Sequence, residues 1–453
     1  MMSYSRTTEV DKLLDRHSGK QGNKRAKKRR LVFQLLYHIS RIFNRLVELC
    51  LSLVVIVFLT LPCHLFFLMR KLFTGKDMLS PRTISGKDAK KTTISYFNGS
   101  TPFTRNLFLF YYVITGQLAL VGTAITEWDD RLASLKQAYI STIKPGIFSL
   151  TYVRQASKIA HEGHESIEWE YVFKKNPLFD FLLLLRTVPA LFFQSKEEKH
   201  DDTLNLFDLE IANMTMAGAI DDIKGAVTDG RGKSVFFVNP DCLNKIFRDR
   251  EYFQVLQAGD LVLPDGIGLT VAGNMLQTPL KENVNGTDML PFLCEMAARE
   301  NFSLFLLGGR PGVAADMAGK LAEQFKVKIA GTENGYFDRE KEKDHIIETI
   351  NQTGAEILLV AFGAPLQEKW ISENRSALNA KVMMGVGGLF DFYSGNTRRA
   401  PRWLREIGLE WLYRMLQEPG RMWKRYVIGN PLFLYRVMRW KVYSGAGNRE
   451  DMS

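Results

Sequence analysis

Asp265 is the residue whose type and setting most invite chemistry. It ends the short apolar run Leu261–Pro264 and precedes Gly266. An Asp before Gly is most often a turn residue, and taken alone that reading is favoured. At the mouth of a parallel sheet, among glycine-rich loops, the same carboxylate is well placed as a general base. Other segments share this texture: Asn239-Pro240, Gly308-Gly309-Arg310-Pro311-Gly312, Gly363-Ala364-Pro365-Leu366-Gln367-Glu368, and Gly385 through Gly388. In the Gly308 segment, a proline near the first turn fits a helix start, where free N–H groups could hold a diphosphate. An ordinary tight turn explains that segment equally well. Gln367 and Glu368 are expected in a first helical turn. Two tempting patterns fail. Gly232-Lys233-Ser234 lacks the glycine a phosphate loop needs five residues earlier, where Val227 stands, and it precedes a strand rather than following one. His161-Glu162-Gly163-His164-Glu165 has Glu165 where a zinc-protease helix needs its second histidine. The four cysteines (Cys50, Cys63, Cys242, Cys294) show no metal-ligand spacing and read as reduced thiols, two in the apolar segment and two expected in the core.

Such residues need elements to position them. After Leu204, short β-rich runs alternate with amphipathic helical stretches. The strands are expected at Ser234–Asn239, Leu261–Pro264, Ser303–Gly308, Val327–Gly331, Ile357–Phe362 and Lys381–Val386. Helices are expected at Thr287–Arg299, Val313–Phe325, Lys341–Gln352 and Gln367–Leu378. This alternation predicts an α/β fold, a Rossmann-like, mostly parallel sheet flanked by helices. Ligands in such sheets bind at the C-terminal ends of the strands, where the segments above fall.

The first half reads differently. Leu49–Met69 is almost continuously apolar and long enough to span about 30 Å of hydrocarbon. Pro62 is expected to interrupt it, and basic residues flank both ends, so a hairpin in one leaflet and a spanning helix are equally good readings. Leu107–Ile125 and Leu178–Phe193 read as interfacial or core helices. The charged Gln194–Asp202 reads as a linker. The chain of 453 residues carries a net charge of +11. Its basic residues concentrate in the tail around Lys24–Arg30, and from Arg398 to Lys441, where they are interleaved with Trp403, Trp411, Trp423, Tyr426 and Trp440. That pattern suits an anionic membrane surface, and no nucleic-acid module accompanies it.

Across Leu204–Lys441 the sequence resembles the WecG/TagA/CpsF glycosyltransferase family (family 26). The resemblance rests on Val238-Asn239-Pro240, Leu261 to Gly268, Asn285-Gly286-Thr287-Asp288, Leu306 to Gly312, Gly335-Tyr336-Phe337, Gly363 to Glu368, Gly385 to Asp391, Arg399-Ala400-Pro401-Arg402-Trp403, and Leu409 through Pro419. It implies an inverting, metal-independent transferase without a cofactor. Such an enzyme moves an N-acetylmannosamine-type residue, its uronic acid or a hexose from a UDP-sugar donor to a polyprenyl-diphosphate-linked sugar acceptor. It further implies Asp265 as catalytic base. Asn239, Gly308, Gly309, Gln367 and Asp391 would contact substrate, as would Arg414, Arg421, Lys424 and Arg425 of a basic C-terminal appendage. Arg421 and Arg425, one helical turn apart, are expected to share a face. Three positions depart from the family pattern: Phe237 replaces a common Thr, Asn283 a common Arg, and Leu366 a frequent Lys. These bear on the donor more than on the reaction class.

Leu49–Phe193 in turn resembles a degraded polyprenyl-phosphate sugar-1-phosphate transferase. The traces are Leu61-Pro62, Gly116 to Gly122, Lys144-Pro145-Gly146-Ile147, and Tyr171 through Asp180 to Arg186-Thr187. Arg105-Asn106 stand where that family has its catalytic Asp-Glu pair, and without a carboxylate nucleophile no phosphosugar-enzyme intermediate can form. The expected layout is a flexible basic tail (1–45), a degenerate membrane-associated domain with a membrane-inserted helix (46–195, helix 49–69), the transferase domain (204–397) and the basic aromatic appendage (398–441). The expected setting is the cytoplasmic face of a bacterial inner membrane, in cell-surface polysaccharide synthesis, with oligomeric state left open. Two other readings compete: a bifunctional enzyme that still transfers sugar phosphate, and a non-catalytic membrane scaffold.

Overall fold

The computed structural model describes residues 39, 42–99, 102–128, 140, 142–158, 163–193 and 201–445. The basic cluster Lys24–Arg30 and positions 194–200 of the expected linker lie outside the described residues. The chain divides into two compact units, Met1–Leu150 with Glu168–Leu185, and Thr151–Ile167 with Arg186–Ser453.

In the first unit a single helix runs from Ile42 to Thr74, long and apolar enough by length and composition to cross a membrane. Pro62 does not interrupt it. A π-helical turn at Ile56–Thr60 precedes the proline, which stands at the start of the Leu61–Thr74 segment. The wider turn accommodates a residue that has no N–H and whose ring would crowd the carbonyl four residues back. One face packs Ile56 and Phe67 into a core with Ile84, Ile94, Phe97 and Val113, and Thr60 Oγ1 donates to the Leu107 carbonyl at 3.1 Å. The other face leaves Phe58, Leu65, Phe66, Leu72 and Phe73 exposed. The stretch Leu107–Ile125, expected as one helix, is a helix (Leu109–Ile114) followed by a strand (Ala119–Val121) parallel to Gly146–Phe148. Gly116, at φ +80°, makes the turn between them, a backbone region open to glycine. Arg105 and Asn106 close the short helix Pro102–Asn106. In Pro177–Phe193, a helix as expected, Leu178, Phe181 and Leu185 form an exposed apolar stripe.

The second unit is built on a six-stranded, wholly parallel sheet. Its strands are β1 (Lys233–Val238), β2 (Leu261–Pro264), β3 (Ser303–Gly308), β4 (Lys328–Glu333), β5 (Ile357–Ala361) and β6 (Val382–Gly385), in the spatial order β4-β3-β5-β6-β1-β2. Central strands are buried on both faces, as a sheet covered by helices on each side requires. Alternation divides β1 and β5 between two cores: Phe236, Val238, Leu358 and Val360 face one, and Val235, Phe237, Ile357 and Leu359 the other. Helix α1 (Met216–Thr228) leads into β1, and the crossover helices are α2 (Pro240–Lys245), α3 (Arg250–Gln257), α4 (Ile267–Met275), α5 (Gly286–Glu300), α6 (Val313–Phe325), α7 (Lys343–Thr353) and α8 (Leu366–Asn374).

After the short α9 (Leu389–Tyr393), the described residues close with four α-helices: α10 (Arg402–Glu406), α11 (Glu410–Gln417), α12 (Pro419–Trp423) and α13 (Gly429–Gly445). The last is part of the core. Phe433 and Val437 are buried in it, and Trp440, expected at an interface, packs edge-on against Phe207 with ring centroids 5.8 Å apart. Trp403 and Trp423 remain exposed.

Candidate active site

The β1–β2 register sets Val238 beside Pro264, so the residues that follow, Asn239 and Asp265, emerge side by side. Asn239 caps α2: its Oδ1 accepts from the N–H groups of Asp241 and Cys242, each at 3.1 Å. With the oxygen so engaged, its Nδ2 is turned to Asp265, donating to Oδ2 at 3.4 Å. The Asp265 N–H donates to the Val238 carbonyl, and the next residue, Gly266, has φ +93°. The Gly266 N–H donates to Asn283 Oδ1 at 2.7 Å. Asn283, one of the three departures from the family pattern, thus braces the loop that carries the carboxylate.

Asp265 opens on a cleft of about 1450 Å³ at the C-terminal ends of the strands. Of the residues singled out in the sequence, Asn239, Asp265, Gly309, Gln367, Asp391, Arg414, Arg421, Lys424 and Arg425 all line it. Phe237 and Leu366, the other two departures, line it as well. Gly308 does not; it lies beneath the cleft at φ +135°, where a β-carbon would sit 2.6 Å from the Ala361 carbonyl oxygen. The diphosphate cradle expected at Gly308–Gly312 is also altered. The Gly309 N–H is bonded to the Ala361 carbonyl, and the Gly309 carbonyl accepts from Gly335. Pro311 stands before the helix rather than in its first turn, since α6 begins at Val313 with Gly312 (φ +88°) as its cap.

Gln367 and Glu368 fall in the first turn of α8, as the sequence predicts. Gln367 nevertheless turns its polar atoms inward: Oε1 accepts from Gly363 at 3.1 Å and Gly387 at 2.8 Å, and Nε2 donates to Glu368 Oε1 at 2.8 Å. Glu368 is fully buried, and that burial pushes its carboxyl up to about 7, against the lowering effect of the Gln367 hydrogen bond.

The C-terminal helices supply the cations. Arg414 lies over the Phe392 ring at 4.9 Å. Arg425 stands 3.7 Å from Asp241; burial lowers its pKa, but the charges around it, Asp241 and Asp265 among them, outweigh burial and raise it. Arg421 pairs with Glu418 at 2.9 Å. A π-helical turn at Lys424–Ile428 follows α12; Arg425 lies in it, and both Arg425 and Arg421 of α12 line the cleft. Sequence reasoning missed Arg310, Arg339, Lys245, Arg248 and Arg436, which also line the cleft. Arg310 lies within Gly308–Gly312, a segment whose glycines are its signal in the sequence. Arg436 falls within the basic stretch Arg398–Lys441, whereas Arg339, Lys245 and Arg248 stand in no pattern that marks them. Among the described residues, no three His, Cys, Asp or Glu side chains group as metal ligands.

A carboxylate at a strand end, glycine-lined loops and a rim of arginines on a doubly wound sheet together make a site suited to transfer of a group from an anionic carrier. Residues 204–446 match the family described as Glycosyl transferase WecG/TagA/CpsF family, and the chain belongs to it. It is thus a glycosyltransferase. It is 30% identical, over 239 residues, to the N-acetylglucosaminyldiphosphoundecaprenol N-acetyl-beta-D-mannosaminyltransferase of Bacillus subtilis (strain 168), a match that covers 52% of this chain and 91% of the relative.

Proposed function

We propose that this chain is an inverting transferase that moves an N-acetylmannosamine-type sugar from UDP to a sugar carried on undecaprenyl diphosphate, with Asp265 as base. The observation that carries this reading is the Asp265 carboxylate held by Asn239 at the edge of an arginine-rimmed cleft. Asp265 takes the proton of the acceptor hydroxyl as its oxygen attacks the anomeric carbon. The bond from that carbon to the UDP oxygen breaks on the opposite face, which inverts the configuration. Arg414, Lys424 and Arg425 take up the charge that develops on the departing diphosphate. The relative's activity, transfer of an N-acetylmannosaminyl group to N-acetylglucosaminyldiphosphoundecaprenol, supports the sugar and the acceptor class.

The first unit fits a role as anchor on the cytoplasmic face of the inner membrane. The exposed apolar face of Ile42–Thr74 supports this, as does the stripe Leu178, Phe181 and Leu185. Its likeness to sugar-1-phosphate transferases belongs to the same reading, with Arg105 and Asn106 in place of the acidic pair. The test is a UDP-sugar panel against sugar-diphosphate-undecaprenol acceptors, with and without EDTA, for wild type and Asp265→Ala. Unchanged turnover in the variant removes Asp265 as base, and loss with EDTA removes metal independence. No turnover with any donor favours a scaffold. Phosphosugar transfer by the wild type would show that the first unit is still an enzyme.

A further inference from the structure

Gln367 lies between two strand-end loops that line the cleft, one after β5 and one after β6. Its single oxygen accepts from an N–H of each loop, Gly363 and Gly387. Its side chain is pressed so closely on Gly385 that a β-carbon there would meet Nε2 at 3.0 Å. An amide can serve two donors in this way only if its NH2 end points away from them, and that end needs an acceptor of its own. Glu368 Oε1 is that acceptor, at 2.8 Å. Both side chains are buried, at 3% and 0% exposure, so water cannot replace either partner. Reversing the amide would set an NH2 group against two N–H donors, at the cost of unpaired buried polar groups.

We infer that Glu368 is a positioning residue for the donor cleft: it fixes the sense of the Gln367 amide and so locks the loops after β5 and β6 at the spacing a nucleotide-sugar diphosphate needs. This rests on the transferase reading for its ligand, but not for the lock itself. The groups that face Glu368 are Gln367 on its own helix, Cys242 and Lys245 on α2, and Tyr252 on α3. Lys245 donates to the Ala364 carbonyl in the first of the two loops. Glu368 Oε2 is buried without a hydrogen-bond partner, so one oxygen carries the whole contact.

The test compares the full-length wild type in detergent with Glu368→Met, Glu368→Gln and Glu368→Asp. Two readouts are used: hydrogen exchange of peptides covering 361–368 and 383–391, and calorimetric UDP affinity alongside kcat and KM. Glu368→Met should speed exchange in both peptides together, weaken UDP and raise donor KM by about tenfold, with a smaller change in kcat. Glu368→Gln, which keeps an acceptor oxygen at the same reach, should restore both readouts. Glu368→Asp withdraws the oxygen by one methylene and should show the same losses to a smaller degree; it decides the matter if Glu368→Met does not fold. A merely structural role would lower thermal stability while leaving loop exchange and donor KM at wild-type values, and that outcome overturns the inference. If the wild type binds no UDP, the donor reading fails, and the coupled exchange of the two loops still tests the lock.

Discussion

Arg399 donates to the Asp288 carboxylate at 2.6 Å, joining the segment before α10 to the first turn of α5. Arg405 of α10 donates to the same oxygen at 2.9 Å, and Arg399 also reaches Glu410 of α11. Burial alone would raise the Asp288 carboxyl, but the two guanidinium groups outweigh it and hold the group below the usual range. Asp288 thus helps fasten α10, and α11 with its Arg414, to the sheet domain.

Breaking that fastening should be costly. Arg399→Ala leaves Asp288 with less compensation in a largely buried place and should cost about 3 kcal/mol, measured by chemical denaturation. The pH dependence has a definite sign. A depressed folded pKa gives stability that is full above the unfolded value near 4 and fades as pH falls through the folded one. Wild type should thus lose stability more steeply than Asp288→Asn on acidification; parallel curves would show that the pair adds nothing.

Asp265→Asn should lower kcat by about 10²- to 10⁴-fold, the usual worth of a positioned base. The amide is nearly the same size, so UDP affinity should hold, and calorimetry beside a turnover assay separates the two effects. Wild-type turnover would send the search for the base elsewhere in the cleft.

Glu368 provides a check with the opposite sign. Its folded pKa is raised to about 7, chiefly by burial, so the native state keeps a proton that the unfolded chain gives up near 4.5. The resulting stability is full below 4.5 and is lost as pH rises through about 7. Relative to Glu368→Gln, wild type should lose up to about 3 kcal/mol between pH 4.5 and 8. A constant difference across that range would mean that the carboxyl ionises as freely folded as unfolded.

Arg414→Ala and Arg425→Ala should each weaken UDP binding or raise donor KM by about tenfold. Arg425 also stands beside Asp241, so its loss should be partly offset by Asp241→Asn, whereas the Arg414 effect should not respond to that change. Full additivity in the Arg425 pair would count against the contact.

The sheet was legible because most of its strands are short apolar runs bounded by glycine, proline or asparagine, with β4 (Lys328–Glu333) the polar exception at an edge. Asp265, Asn239 and the appendage arginines were legible through ordered motifs. Side-chain direction was not. Gln367 reads as a substrate contact in sequence, yet its partner Gly387 becomes a neighbour only when β5 and β6 pair, and nothing in the local sequence says that Gly363 and Glu368 take its other polar atoms. Gly308 reads as a phosphate-loop glycine, but its φ of +135° serves close passage past Ala361. Pro62 reads as a break because a sequence does not announce that a π-turn will precede it.

The strand order has one more consequence. Asp265 follows β2, at one edge of the sheet, while the Gly309 turn follows β3, four strand spacings away. At about 4.8 Å per spacing that is about 19 Å, set by backbone hydrogen bonding rather than by any side chain. Loop substitutions can retune either end, but the strands that carry the two loops stay this far apart. Two small fragments, one lodged at each end, should therefore bind without competing, and a tether matched to that span should convert their separate affinities into avidity.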